Sequence, residues 1–186
     1  MKRIFIIGLL IIIASFSYAQ ESKYEKSIEI GGGFGLSEYT NYTINASMIN
    51  GYRVLPQLLI GVGIGFRYSD VIYYKSYQHV SMDGKYLIQA HLRLKYNFVK
   101  AHKISPYLAF DGGGSFDIGR NPNKNITGLF YEPQLGVDFK LTEKEAINLG
   151  VGINMQHYQY QYFSNNVIEN NEFFIGALNF HCGIKF

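Results

Sequence analysis

The chain closes on Phe174-Ile175-Gly176-Ala177-Leu178-Asn179-Phe180-His181-Cys182-Gly183-Ile184-Lys185-Phe186. Phe174, Leu178, Phe180, Cys182, Ile184 and Phe186 recur at even spacing, and Asn179, His181 and Lys185 fall between them. A period of two belongs to a β-strand, whose side chains point alternately to opposite faces. One face of this strand suits lipid and the other suits water, as in the last strand of a transmembrane β-barrel.

At the other end, Lys2 and Arg3 precede the apolar run Ile4 to Ile13, and Ser17-Tyr18-Ala19 supplies small residues before Gln20. This is the pattern of a cleaved secretory signal over residues 1–19, leaving a domain over 20–186. The apolar run is about half of the roughly 20 residues that a spanning helix needs. No Cys stands at the cleavage point to carry a lipid.

Lys and Arg number 17 and Asp and Glu 14; without Lys2 and Arg3 the balance is 15 to 14, so no nucleic-acid surface is expected. Cys182 is the one cysteine, which excludes an internal disulfide. No later segment has sustained helical periodicity, and the domain reads as all-β.

Seven more strands carry the same alternation. The first sets Ile28, Ile30, Phe34 and Leu36 against Ser27, Glu29, Gly31, Gly33 and Gly35. The second has Ile44, Ala46, Met48, Tyr52 and Val54; after Pro56 the third has Leu58, Ile60, Val62, Ile64, Phe66 and Tyr68. The fourth interleaves Tyr86, Ile88, Ala90, Leu92, Leu94, Tyr96 and Phe98 with Gln89, His91, Arg93, Lys95 and Asn97. The fifth runs from about Ser105 to Asp117, with Leu108, Phe110 and Phe116 opposite Tyr107, Asp111 and Ser115. The sixth sets Leu129, Tyr131, Leu135, Val137 and Phe139 against Glu132, Gln134, Asp138 and Lys140, with a bulge expected at Pro133 because it lacks a ladder donor. The seventh has Ile147, Leu149, Val151, Ile153 and Met155.

Short connections are expected near Pro56, Ala101 and Glu143, and longer ones near Tyr74, Asn123 and Asn166. That asymmetry fits tight periplasmic turns and longer external loops. Strand length, the uncharged apolar face, and aromatics near strand ends place that face toward lipid. Tyr52, Phe98, Phe139 and Phe186 form one expected girdle, and Tyr68, Tyr86, Phe116 and Tyr131 the other.

The opposite face then lines the interior with Glu29, Arg67, His91, Arg93, Lys95, Asp111, Glu132, Asp138, Lys140, His181 and Lys185. Eight strands enclose a space that side chains can fill, so these groups are expected to pair across it as a plug. Gly31, Gly33 and Gly35, with Gly61, Gly63 and Gly65, are expected to make room for long side chains from opposite strands.

Taken together, the leader, Gly31-Gly32-Gly33-Phe34-Gly35, the Gly61 to Gly65 strand and the terminal Gly183-Ile184-Lys185-Phe186 resemble the small eight-stranded outer-membrane barrels of the OmpA/OmpX type. The resemblance implies an eight-stranded antiparallel up-and-down barrel in a Gram-negative outer membrane, surrounded by lipid and present as a monomer. It also implies delivery by the barrel-assembly machinery, for which Phe180, Cys182, Ile184 and Phe186 resemble the terminal signal. No cofactor or metal is expected.

For catalysis, His157, with Ser164 beyond and Asn154 behind, is a loose set for acyl chemistry built from common residues, and it is weighed below a rim histidine. His91 and His181 fit the luminal network better than a metal site. Tyr73, Tyr74, Tyr77, Tyr160 and Tyr162 are candidates for contact with an extracellular ligand, although extension of the strands above the membrane explains them more simply. The expected role is structural or surface-interacting, without catalysis; the alternatives are a narrow pore for small solutes or ions, and a lipid-modifying enzyme.

Overall fold

The structure is a computed structural model that describes residues 23–36, 41–75, 78–99, 103–118, 127–164 and 167–186. The expected leader therefore lies outside the described residues, as do Tyr77, His102 and Asn121 to Asn125.

Eight strands follow one another: β1 (Tyr24–Gly35), β2 (Asn41–Arg53), β3 (Leu58–Lys75), β4 (Gln78–Asn97), β5 (Ile104–Asp117), β6 (Thr127–Lys140), β7 (Ala146–Ser164) and β8 (Val167–Lys185). Each pairs antiparallel with its sequence neighbours, and β8 pairs with β1 to close the barrel. Closure leaves no open sheet edge at membrane depth, which hydrocarbon requires because it offers no partner to a free backbone group. Followed once around through Lys26, Asn50, Val62, Leu92, Gly112, Tyr131, Met155 and Gly176, the ladder returns to Leu36, ten positions beyond its start. That stagger is what tilts the strands.

Alternation sorts the two faces. Along β5, exposed Ile104, Pro106, Leu108 and Phe110 alternate with buried Ser105, Tyr107, Ala109 and Asp111. Large apolar side chains stand exposed on all eight strands, among them Ile30, Ile44, Val62, Leu92, Phe110, Leu135, Leu149 and Phe180. A surface this apolar around a whole barrel is a lipid-facing surface. Two aromatic bands frame it. Tyr24 and Tyr52 pack edge-on at 5.1 Å, with Tyr96 and Phe98 at 5.6 Å, at the end that carries both termini. At the far end Tyr68 contacts Tyr42 at 5.9 Å and Tyr86 at 5.3 Å.

Three details differ from the sequence reading. The expected long connections near Tyr74 and Asn166 are mostly strand: β3 and β4 pair out to Lys75 and Gln78, and β7 and β8 out to Ser164 and Val167. Tyr73, Tyr74, Tyr160 and Tyr162 thus belong to hairpin backbones. Polar and aromatic residues alternate there as well as in a loop, so only the ladder separates the two. Pro133 causes no bulge; β6 and β7 keep one register on either side of it, from Tyr131↔Met155 to Gln134↔Gly152. The irregularity lies instead between Ser69 and Val71 of β3. There Gly84 of β4 is needed, because a Cβ would collide with the Tyr68 ring.

Candidate functional site: the luminal charge network

The inward face assembles in layers along the barrel. Nearest the termini, Glu25 is paired with Arg53, and Arg53 also donates to Asn97 Oδ1. Lys185 Nζ lies 3.4 Å from Glu25 and 3.3 Å from Asp138 Oδ2. Asp138 further accepts from Lys95 Nζ at 2.8 Å and from Asn97 Nδ2 at 3.1 Å. Lys95 also stands 4.0 Å over the Tyr107 ring, a cation–π contact in a desolvated setting.

In the next layer Arg93 spans the lumen. Its Nε and Nη2 donate to the two Asp111 oxygens at 2.7 and 2.6 Å, the bidentate geometry that suits guanidinium to carboxylate. Its Nη1 donates to Glu29 Oε1 at 2.5 Å. Asn148 completes Glu29 from β7 at 2.9 Å, and Gln134 completes Asp111 from β6 at 2.7 Å. One cation thereby ties together side chains from β1, β4, β5, β6 and β7.

Above it Glu132 is the hub. Oε2 accepts from Asn154 at 2.9 Å, Asn179 at 3.0 Å and Arg67 Nη2 at 3.5 Å, while Oε1 meets His181 Nε2 at 2.5 Å. Arg67 Nη1 donates to Asn154 Oδ1 at 2.7 Å. Nearer the far end Gln89 donates to Ser115, Ser115 donates to Gln156, and Lys85 pairs with Asp117. Six carboxylates (Glu25, Glu29, Asp111, Asp117, Glu132, Asp138) meet six basic side chains (Arg53, Arg67, Lys85, Arg93, Lys95, Lys185) in these ion pairs. Pairing matters because an unpaired charge in such a space costs far more than a paired one.

Glu29, Arg67, Arg93, Lys95, Asp111, Glu132, Asp138, His181 and Lys185 are thus brought together. Two predicted members are not. Lys140 has the inward parity, yet it is the last residue of β6 and is exposed, so its ammonium stays in water beyond the barrel mouth. His91 faces inward, but among the described residues neither ring nitrogen has a hydrogen-bond partner; its ring meets Phe130 edge-on. The lumen also holds apolar side chains the polar pattern did not announce, including Ile49, Leu59, Leu87 and Phe130, all at or below 4 % exposure.

The glycines serve neighbours more than opposite strands. His91 on adjacent β4 covers Gly63, Asn179 on adjacent β8 covers Gly33, and Tyr107 on adjacent β5 covers Gly136. Asn148, Asn154, Asn179 and Gln134 also join the network; Gln134 and Asn179 already stood on the polar face in the sequence without being counted among its luminal groups, and strict alternation with Leu149, Val151 and Ile153 would have added Asn148 and Asn154. That alternation also separates Asn154 from His157. Asn154 is buried against Arg67 and Glu132, while the His157 ring lies on the other face against Phe174 at 4.6 Å. The Ser164 side chain lies outside the description, and so does that of His79. Among the described residues no group of three or more His, Cys, Asp or Glu side chains is arranged to hold a metal.

Comparison with solved structures follows this geometry. The outer-membrane protein OprG from Pseudomonas aeruginosa superposes with a TM-score of 0.63 at 11% identity, over 90% of this chain and 97% of that one. The fold is that of the small eight-stranded outer-membrane barrels. The outer-membrane protein AlkL, solved in DMPC lipid bilayers, gives 0.60 at 13% identity over 91% and 94% of the two chains. Neisserial surface protein A gives 0.57 at 14% identity over 87% and 94%. No family profile and no curated protein matches the sequence. At such identities the shared property is the barrel itself, which alternation and closure specify without conserved chemistry.

Proposed function

We propose that this protein is an integral barrel of a Gram-negative outer membrane, with both termini on the periplasmic side, a lumen closed by its own charges, and a structural or surface-interaction role without catalysis. The observation that carries the reading is Arg93 held by Glu29 and Asp111 from two other strands, through both Asp111 oxygens and Glu29 Oε1. A passage for ions would have to break that layer, which leaves buried charges unpaired. The separation of His157 from Asn154 removes the support for an acyl-transfer set. The tyrosines of the β3–β4 and β7–β8 hairpins are where a surface partner would be met, since a Tyr side chain offers a broad amphipathic contact.

Reconstitution in planar bilayers tests the closed lumen. The expected result is no steady single-channel current; reproducible openings of fixed size would replace this reading with the narrow pore.

A further inference from the structure

One lysine breaks the uncharged outward face. Lys26 stands on β1 between Glu25, which is paired with luminal Arg53, and buried Ser27, so alternation turns it toward lipid. Among the described side chains it is the one Lys or Arg on the outward face of the strands. Its cross-strand partner on β2 is Asn50, which lies between buried Ile49 and Gly51 and therefore also faces outward. On its other side the β8 neighbour is Phe186, bonded to it through the main chain. The six basic side chains of the lumen are all paired, whereas Lys26 enters no ion pair among the described residues. Glu145, just before β7, is separated from it by β8 and accepts from Thr142 at 3.4 Å.

Depth makes the pair informative. Tyr24 and Tyr52 occupy the adjoining rung toward the termini. Aromatic rings of a barrel rim sit at headgroup level. Lys26 lies two residues further in, about 7 Å along the strand, a distance that its stem covers by lying along the wall with the ammonium turned back toward the headgroups. It is half-buried, as such a course requires.

On the side away from the termini the wall is hollowed. The next rung holds Ile28, Met48 and Ile64, and the one after it Ile30, Ala46 and Phe66. Ala46 is the small member, and two grooves of about 420 and 750 Å³ meet over it, sharing Ala46 and Phe66. The second continues past Ile44 to Tyr68. Apolar side chains wall both, so a hydrocarbon chain suits them and a polar ligand does not.

We propose that Lys26 and Asn50 hold the phosphate of an anionic phospholipid of the periplasmic leaflet, with one of its acyl chains lying in the groove over Ala46. A phosphodiester presents only acceptors, and the pair answers with the three donors of an ammonium and the amide donors of Asn50. The net charge of the headgroup meets the unpaired charge of Lys26; a zwitterionic headgroup would bring a second ammonium beside it. The order of the parts also matches, with the cation at headgroup level and the apolar groove running from it toward the bilayer centre. The choice of leaflet rests on the periplasmic placement of the termini proposed above. The site does not depend on whether the lumen conducts, so the bilayer-current experiment and the one below fail separately.

The chain contains no tryptophan, so Tyr52→Trp places a single fluorescent reporter beside the pair. The reporter barrel is refolded into phosphatidylcholine vesicles containing a small share of chain-brominated phosphatidylglycerol or, in parallel, chain-brominated phosphatidylcholine, and quenching gives their relative affinity. A preference of about five-fold for phosphatidylglycerol is expected, the size for one lysine at an anionic membrane surface. Lys26→Gln should abolish it, Lys26→Arg should keep it, and Lys140→Gln, at the same end of the barrel, should leave it unchanged. Ala46→Phe, which fills the groove without touching the charge, should lower it. Inorganic phosphate at constant ionic strength should not displace the lipid. Equal quenching by the two lipids, a preference that survives Lys26→Gln, or equal losses in Lys26→Gln and Lys140→Gln would overturn the site. An unchanged preference in Ala46→Phe would overturn the groove as the seat of the chain, and displacement by phosphate would replace the lipid with a soluble anion.

Discussion

Arg93 Nη1 donates to Glu29 Oε1 at 2.5 Å across the lumen, from β4 to β1, with two strands of the wall between them. Neither residue reaches its partner through the sheet. The bond exists because closure turns the inward faces of distant strands toward one another, and it therefore reports on the closed barrel as a whole.

Glu29→Ala should destabilise the barrel by about 3–5 kcal/mol, since it leaves a buried guanidinium with Asp111 alone and strands Asn148. Arg93→Met in the same background should deepen the loss, because it leaves the buried Asp111 carboxylate without its bidentate cation. Urea unfolding of the refolded barrel reads both; an unchanged midpoint in Glu29→Ala would mean that the layer contributes nothing.

Gly136→Ala should cost about 1–3 kcal/mol, the range for overpacking a filled interior. A Cβ there would stand 2.4 Å from both the Leu149 carbonyl oxygen and the Tyr107 ring, of which only the ring can be removed by substitution, and one at Gly150 would stand 2.7 Å from the Tyr107 hydroxyl, while Lys95 occupies the ring's face. Adding Tyr107→Ser should restore part of the loss if the collision is the cause. Equal midpoints for Gly136→Ala and the double variant would point to another origin.

Val62→Arg should cost about 2–4 kcal/mol, and Phe98→Arg about 0–1 kcal/mol, when folding into lipid vesicles is measured at equilibrium. Val62 is 59% exposed well inside β3, whereas Phe98 is 53% exposed beyond the end of β4, so equal exposure conceals different depth. Similar penalties at both positions would contradict a lipid-facing belt bounded by aromatic rims.

Deleting Phe186 should lower the fraction of folded barrel recovered from cell envelopes more than it lowers folding of the purified chain into detergent. Its backbone makes two 2.9 Å hydrogen bonds with Lys26, the last pair of the closing seam, so a modest stability loss is expected in both settings. A larger cellular deficit would support a role in delivery; equal deficits would reduce Phe186 to its part in the seam.

Alternation was readable wherever a strand is half lipid-facing and half inward, and it placed Ile30, Val62, Leu92 and Leu135 on the outside correctly. It also carried the inward parity of Glu29, Arg93, Asp111 and Glu132. It failed at ends. Lys140 has the right parity at the last rung of β6, where an inward side chain already meets water, and Tyr74 lies in a hairpin that its composition does not distinguish from a loop. Parity is a local property of a pleated chain, while the point at which a strand ends depends on what its neighbour does.

The amino-acid sequence by itself determined that the chain forms strands with one apolar and one polar face, because side chains two residues apart share a face whatever surrounds them. Only the tertiary structure decided which charges meet. Closure and a stagger of ten positions set the height of each strand against the others, and that height brings Arg93 level with Glu29, Glu132 level with His181, and His91 against the ring of Phe130. Partners separated by scores of residues have no spacing rule in sequence; they are chosen by the geometry of the ring.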